Sequence, residues 1–572
     1  MFVAFDTETH PIKERTKAPK LVCGSFADKA NFEGYLLSAV DSCDEFEELL
    51  DDESITKVGH FTAFDCGVFA AEDPDRFLFR IFRELDAGRL RDTKIREQLL
   101  NLSLGRLKFD PETNRRQSYS LASLASKYLR RDLDKSEDGY RLRYNELDPN
   151  DIESWPARAR EYAIGDAVST LEIFFKQSED GVEIFDEINQ TKASFALHLM
   201  SIRGFATDTK RALELESTLR AEIDSCRELL IPAGLLRLNG SKNIAAIRRR
   251  ISESMSSPPL TKSGKISTER QVLIDCGGSL RRLAEIGKSE KILSTYLPKL
   301  KAGSVHCRYS SLMETGRTSS SSPNIQNLPR AGGVRECYIP RDGYSLFAID
   351  YSTIELRALA QICLDLFGQS EMARRINAGE DLHLALAAQI QGVDYDDDKA
   401  KDARPFAKVA NFGYPGGMGA AALASTAPNF GLEMSVEKAE ELRLHWSKTW
   451  PEMEHYFRHI NEALGFSGSA TIEQPRSKRV RGNCSYTQAC NTTFQGLAAD
   501  GAKLALFEVA RDAYTSGEYY PLAFIHDEIL IEAKDESSAK LVADIMIESM
   551  REYLPDIEVT VEINGPMARW SK

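Results

Sequence analysis

An α/β domain followed by a larger multidomain region of α+β character is the fold class the sequence predicts, on three observations. Over the first ~185 residues short apolar strands alternate with polar helices, as in MFVAFDTET, KVGHFTAFD and the helical YAIGDAVSTLEIFF. From Asn189 to Glu228 two helices are separated by the break at Arg203-Gly204, and a Ser/Pro/Gly-rich stretch runs from Ser252 to Lys265, the pattern of an extended helical arm. From Tyr309 onward, strands such as SLFAID and LAFIHDEILIEA are spaced by long helical stretches and loops. A chain of 572 residues has room for about three to five folding units.

With 42% hydrophobic and 28% charged residues, the composition excludes disordered, collagenous and membrane classes. The opening MFVAFDTETH has no basic segment before its apolar run and meets acid at Asp6, so no export signal is expected. Ten cysteines without a C-x-x-C pair argue against a disulfide framework or a zinc ribbon and for a cytoplasmic location. The net charge of −14 hides an uneven distribution: Gly240 to Ser310 holds 14 Lys or Arg against 5 Asp or Glu. Arg281, Arg282, Lys288 and Lys291 belong to this run, as does Lys262, interleaved with Ser, Thr and Gly. It reads either as a solvated helical face or as a phosphate-binding arm.

Asp6 and Glu8 lie two residues apart at the end of a strand, so both side chains leave the same side of the sheet. Asp65 follows the apolar part of VGHFTAFD, and Asp166 sits one helical turn after Tyr162. Four such acids would form a cage for two divalent ions ~4 Å apart, the arrangement that activates water and stabilises a leaving phosphodiester oxygen. Each acid taken singly reads as a surface charge or a helix cap.

A second carboxylate set lies in the C-terminal half. SLFAIDYSTIELRAL gives a strand ending at Asp350 and a helix presenting Glu355, while LAFIHDEILIEA gives a hairpin with His526, Asp527 and Glu528 at its tip. Between them, RPFAKVANFGYPGGMG repeats Arg404, Lys408 and Phe412 every four residues along one helical stripe. Two cations and an aromatic on one face suit a triphosphate and the sugar or base beyond it.

The first set, in its order along the chain, resembles the 3′→5′ proofreading exonucleases of the DEDD type. That resemblance implies an RNase H-like domain over 1–185, with Asp6, Glu8, Asp65 and Asp166 as metal-binding acids and Tyr162 orienting the attacking water. The rest resembles family-A DNA polymerases: TGRTSSSSPNIQNLP as the primer-template segment, DYSTIELR, RPFAKVANFGY and IHDE as motifs A, B and C, and ACNTTFQGLAADGAKLAL as a helix touching template and primer. A right hand over 186–572 is implied, with thumb about 190–310, palm about 311–365 and 485–572, and fingers about 366–484.

By the same resemblance, Asp350 and Asp527 bind the catalytic metals, Glu528 assists and Glu355 excludes a ribose 2′-OH. His383, Arg404, Lys408 and Phe412 take the incoming nucleotide. Arg317, Asn491, Gln495 and His526 contact primer or template, and the basic run becomes a thumb that holds duplex backbone. Two Mg²⁺ per active site are implied, with Mn²⁺ an alternative, and the partners are primer-template DNA and dNTPs. A phage-type replicative enzyme, monomeric and off the membrane, is expected, working in a bacterial host's cytoplasm and without a 5′-nuclease domain; a helicase or other replisome partner is left open.

The sequence departs from the family pattern at Thr353, where glutamine is usual, at Thr487, where arginine is frequent, and at Gly416, where an aromatic is usual. Tyr414, followed by Pro415, Gly416 and Gly417, is expected to swing toward the templating base and replace that aromatic, the other reading being a core aromatic. The alternative reading is a nucleic-acid-trimming exonuclease whose C-terminal half only binds nucleic acid, which leaves Asp350, Asp527 and the Arg404 stripe without work.

Overall fold

FVAFDTET forms the strand Phe2–Thr9, central in a five-stranded sheet of the computed structural model, which describes residues 1–30, 32–110, 113–133, 140–179, 183–261 and 263–571. The sheet order is Gly34–Ser38, Leu21–Asp28, Phe2–Thr9, Thr56–Gly59, Leu90–Asp92, antiparallel among the first three strands and parallel thereafter. Alternation decides what each face carries: Phe5 enters the core while Asp6 and Glu8 lie opposite Ser25 and Cys23. Helix Ala157–Lys176 packs across the two central antiparallel strands and so brings Asp166 to the acid-bearing strand end. On the core side Phe46 stacks on Phe69 with ring centroids 4.1 Å apart.

The C-terminal half is built on a four-stranded sheet, in order Tyr519–Ile525, Glu528–Ala533, Ser345–Tyr351, Val561–Met567. The 31-residue helix Tyr486–Ser516 starts at a capping box formed by Ser485 and Gln488 and is buried over most of its length. Helices Leu382–Gln391 and Asp398–Gly413 pack side by side, knotted by the buried Asn411. Its Oδ1 accepts from the indole N–H groups of Trp446 and Trp450, both at 3.0 Å, and its Nδ2 donates to Leu382 O at 3.2 Å. A buried amide satisfied on this many sides fixes one packing of the helices.

Two units divide the chain: Met1–Arg203 with Arg308–Ser321 and Phe347–Gly565, and Gly204–Cys307 with Ser322–Leu346 and Pro566–Lys572. Helix Glu187–Arg203, expected to open the thumb near 190, belongs to the first unit, against Tyr486–Ser516. Residues 193–201 of that helix are buried all round, as in a core helix and not an arm. At its start Arg479 bridges Asp186 (2.6 Å) and Asp500, and Lys503 donates to Gln190 Oε1 at 2.7 Å. Nearby, a Cβ on Gly482 would overlap Ser103 O, and one on Gly105 would stand 2.6 Å from Gly482 O, so two backbones touch where only glycine fits.

The second unit is mainly helical: Thr209–Leu230, Ile244–Ser254, Arg270–Cys276 and Gly278–Lys291 enclose a core that includes Ile223, Ile247, Ile251 and Leu283. Trp570, near the chain's end, is fully buried there, with the Arg335 guanidinium 4.6 Å from its ring centroid.

Candidate active sites

In the first domain Asp6, Glu8 and Asp166 each place a carboxylate oxygen within 4.8 Å of the other two. Three anions this close repel unless a cation lies between them, and an all-oxygen donor set suits a hard divalent ion. Asp65, expected as the fourth member, is not part of this group: its Oδ1 accepts from Thr7 N–H (3.1 Å) and Thr7 Oγ1 (2.6 Å). The reason is strand parity. Thr7 lies between Asp6 and Glu8, so its side chain takes the other face of the strand and meets Asp65 in the first turn of Thr62–Glu72. Burial raises the Asp65 pKa to about 7 against the Thr7 hydrogen bonds, with Asp92 adding repulsion.

Tyr162 stands one turn from Asp166, its ring centroid 6.3 Å from that of Tyr144. Tyr144 carries no signal in the sequence; it is fully buried and donates to Ala159 O at 2.7 Å, walling the site from behind.

The second acid set lines a cavity of about 620 Å³ in the C-terminal half. Asp350 reaches it from the end of strand Ser345–Tyr351 and Asp527 from the hairpin turn, where His526 takes a left-handed φ of 64°. Burial, then Asp350, raises the Asp527 pKa to about 7, and Arg317 works the other way. A buried Asp527 carboxyl whose charge is disfavoured beside Asp350 fits a divalent-cation site. Glu528 is not among the lining residues, whereas Glu562 from the edge strand, unremarked in the sequence, is one of them. Arg357 ties that edge to motif A, donating to Ser352 O at 2.7 Å and Thr560 Oγ1 at 2.8 Å.

Arg317, Glu355, His383, Arg404, Lys408, Phe412, Gln495 and His526 line the same cavity, as does Thr353. Several are held by internal partners: Arg317 pairs with Glu355, and Arg404 with Asp381 at 2.6 Å. His383 is buried, which lowers its pKa to about 4, so the ring is neutral beside Asn411. Asn491 is not a lining residue; its Nδ2 donates to Gly416 O (3.1 Å) and Thr487 O (2.7 Å) and its Oδ1 accepts from Gln495 (3.2 Å).

The expectation for Tyr414 is corrected. The helix does end at Gly413 and a short 3₁₀ turn follows over Tyr414–Gly416, but the Tyr414 ring turns into the core. Its hydroxyl donates to Ala439 O at 2.5 Å and its ring lies 5.5 Å from that of Trp446. A phenol with a buried acceptor and an aromatic neighbour gains more there than in water.

The basic run of the second unit also divides. Lys288 and Lys291 line a cavity of about 540 Å³ with Lys242, Arg270 and Arg330. Arg281 and Arg282 do not line it; they are exposed, and Arg281 lies 3.8 Å from Glu285. Lys262 lies outside the described residues.

Comparison with known proteins fits this geometry. The family model for DNA polymerase family A matches residues 211–571, which is more than half of the chain. The chain belongs to DNA polymerase family A. A 3′-5′ exonuclease model matches residues 2–179, so an exonuclease domain precedes this family A polymerase domain. Among curated relatives, DNA polymerase I of Aquifex aeolicus is 30% identical over 325 residues, covering 55% of each chain. That of Streptococcus pneumoniae is 29% identical over 416 residues, 66% of this chain and 46% of the relative. The thermostable DNA polymerase I of Thermus filiformis is 27% identical over 424 residues, 68% and 48%. This family A chain thus spans about half the length of these curated relatives. Its fold is similar to the POL domain of Pol1 from M. smegmatis, solved with DNA primer-template and dNTP: TM-score 0.73 at 20% identity, covering 100% of this chain and 95% of that one.

Proposed function

We propose that the chain is a template-directed DNA polymerase that extends a primer 3′-OH with dNTPs and removes mispaired ends with its 3′→5′ exonuclease. The observation that carries the reading is that Asp350, near a strand end, and Asp527, in a hairpin turn of the same sheet, share a cavity with the cationic stripe of Arg404 and Lys408. A trimming exonuclease needs only the acid trio of the first domain and leaves this second cavity without a task.

In synthesis, Arg404 and Lys408 draw in the triphosphate and Phe412 packs against the nucleoside, fixing the α-phosphorus for in-line attack. Glu355, once Arg317 leaves it for the primer-template, stands where a ribose 2′-OH would intrude. Arg317, Gln495 and His526 hold primer and template at the reacting end, with Asn491 joining them on release from Gly416. Asp350 and Asp527, with Glu528 assisting, would hold divalent cations, taken as two Mg²⁺ with Mn²⁺ as an alternative, and these would supply charge stabilisation for the attacking and leaving oxygens. In the first domain Asp6, Glu8 and Asp166 would hold the corresponding ions, Asp65 fixes the strand that carries two of these acids, and Tyr162 would orient the water. The second unit serves as the thumb and grips duplex backbone through Lys288 and Lys291.

The reading includes a monomer of phage type at work in the cytoplasm. All ten cysteines are free thiols, and no helix among the described residues is long and apolar enough to cross a membrane. The test is a labelled primer-template with Mg²⁺, with and without dNTPs or NTPs. Extension with dNTPs and shortening without them is expected, with shortening abolished and extension kept in an Asp6→Ala, Glu8→Ala double variant. Shortening alone would return the chain to the trimming exonuclease.

A further inference from the structure

The cavity that holds Asp350 and Asp527 carries an aromatic side chain that the roles above leave unused. Phe430 lines it, and its side chain is 51% exposed, against 39% for Phe412 in the same cavity. An exposed ring on the wall of this cavity is open to a ligand held there. The ring also stands on a fixed base. It ends the short turn Ala427–Phe430, where Ala427 is fully buried, Gly431 N–H donates to Pro428 O at 3.0 Å and Leu432 N–H to Ala427 O at 3.2 Å. These bonds fix the backbone from which the ring projects.

Neither Tyr414 nor Gly416, just past the end of helix Asp398–Gly413, takes this place. A Cβ at Gly416 would meet the Asn491 amide at 2.6 Å, so a ring at 416 would have to expel Asn491, and Tyr414 is committed to the core.

We propose that Phe430 is a stacking wall for a nucleobase of the nascent pair, complementing Phe412, so that the cavity takes a planar aromatic base as well as a triphosphate. The inference rests on the polymerase reading and adds a nucleotide-binding residue to it. Stacking on an aromatic face is tolerant of base identity, so the ring would tighten nucleotide binding for all four bases.

The experiment measures single-nucleotide insertion by Phe430→Ala, Phe430→Tyr and the parent, all with Asp6→Ala and Glu8→Ala, on a normal and an abasic template. Phe430→Ala is expected to raise the KM for dNTPs about tenfold, with an unchanged melting midpoint, and Phe430→Tyr is expected to restore it. If the KM rise vanishes on the abasic template, the ring stacks on the templating base; if it persists, on the incoming one. A parental KM in Phe430→Ala on both templates overturns the proposal, and so does equal impairment by Ala and Tyr, which would assign the effect to the turn and not the ring. A parent that does not extend primers at all overturns the polymerase reading, and this wall with it.

Discussion

Asp381 holds Arg404 by a single carboxylate oxygen, Oδ2, which accepts from Nε at 2.9 Å and Nη2 at 2.6 Å. The other oxygen, Oδ1, accepts from the N–H groups of His383 and Leu384 at 2.7 and 3.1 Å and caps the helix Leu382–Gln391. Burial disfavours the charge, yet Arg404 and the helix N–H groups hold the Asp381 carboxyl below the usual range. One side chain thus sets the positions of two residues of the nucleotide site. Asp381→Ser keeps a cap and frees Arg404, so insertion kinetics should show the KM for dNTPs rising severalfold while kcat changes less. Asp381→Ala should add about 1 kcal/mol of destabilisation from the missing cap, read by thermal unfolding.

Asp527→Asn is expected to suppress primer extension by orders of magnitude while binding of a labelled duplex is kept. Because the buried carboxylate beside Asp350 is costly to ionise, the same variant should melt higher than the parent in chelator. Full extension activity in the variant would contradict the two-acid mechanism.

Salt dependence should separate the two halves of the basic run. Lys288→Gln with Lys291→Gln should weaken duplex binding and flatten its salt slope, by about one unit for each phosphate that is no longer neutralised. Arg281→Gln with Arg282→Gln should do neither, since these side chains lie outside the Lys242, Arg270 and Arg330 cavity.

His198 gives a stability change with a defined pH window. Burial, with Lys94 and Lys17 adding repulsion, lowers its pKa from 6.5 to about 4, so the folded protein keeps a neutral ring where the unfolded chain takes up a proton. Its contribution is present above pH 6.5 and is lost as the pH falls toward 4. At pH 4.5 the parent should be less stable by about 2 kcal/mol through this residue. His198→Leu should remove that part of the slope in denaturant titrations.

What the sequence made readable was what depends on local spacing. Period-2 alternation put Asp6 with Glu8, an apolar run put Asp350 at a strand end, and four-residue spacing aligned Arg404, Lys408 and Phe412. Other positions depended on partners distant in sequence. Asp65 turns to Thr7 because of strand parity 58 residues away, and Tyr414 turns inward because Ala439 O and Trp446 are there to receive it. The acid before LHLALA is an N-cap signal in the sequence, so the cap made by Asp381 could have been found; its grip on Arg404 could not. Phe430 carries no periodic signal at all, since a single aromatic in a turn shows its use only when the cavity is formed.

The bare backbone approach of Gly105 to Gly482 bears on whether the two halves are interchangeable parts. Ser103 and Gly105 come from the exonuclease half and Gly482 from the polymerase half, and neither glycine has space for one carbon more. A chimera that imports either half from a relative with a side chain at the matching position inserts a wedge into this seam. Engineered exchange between family members must therefore carry both glycines across together.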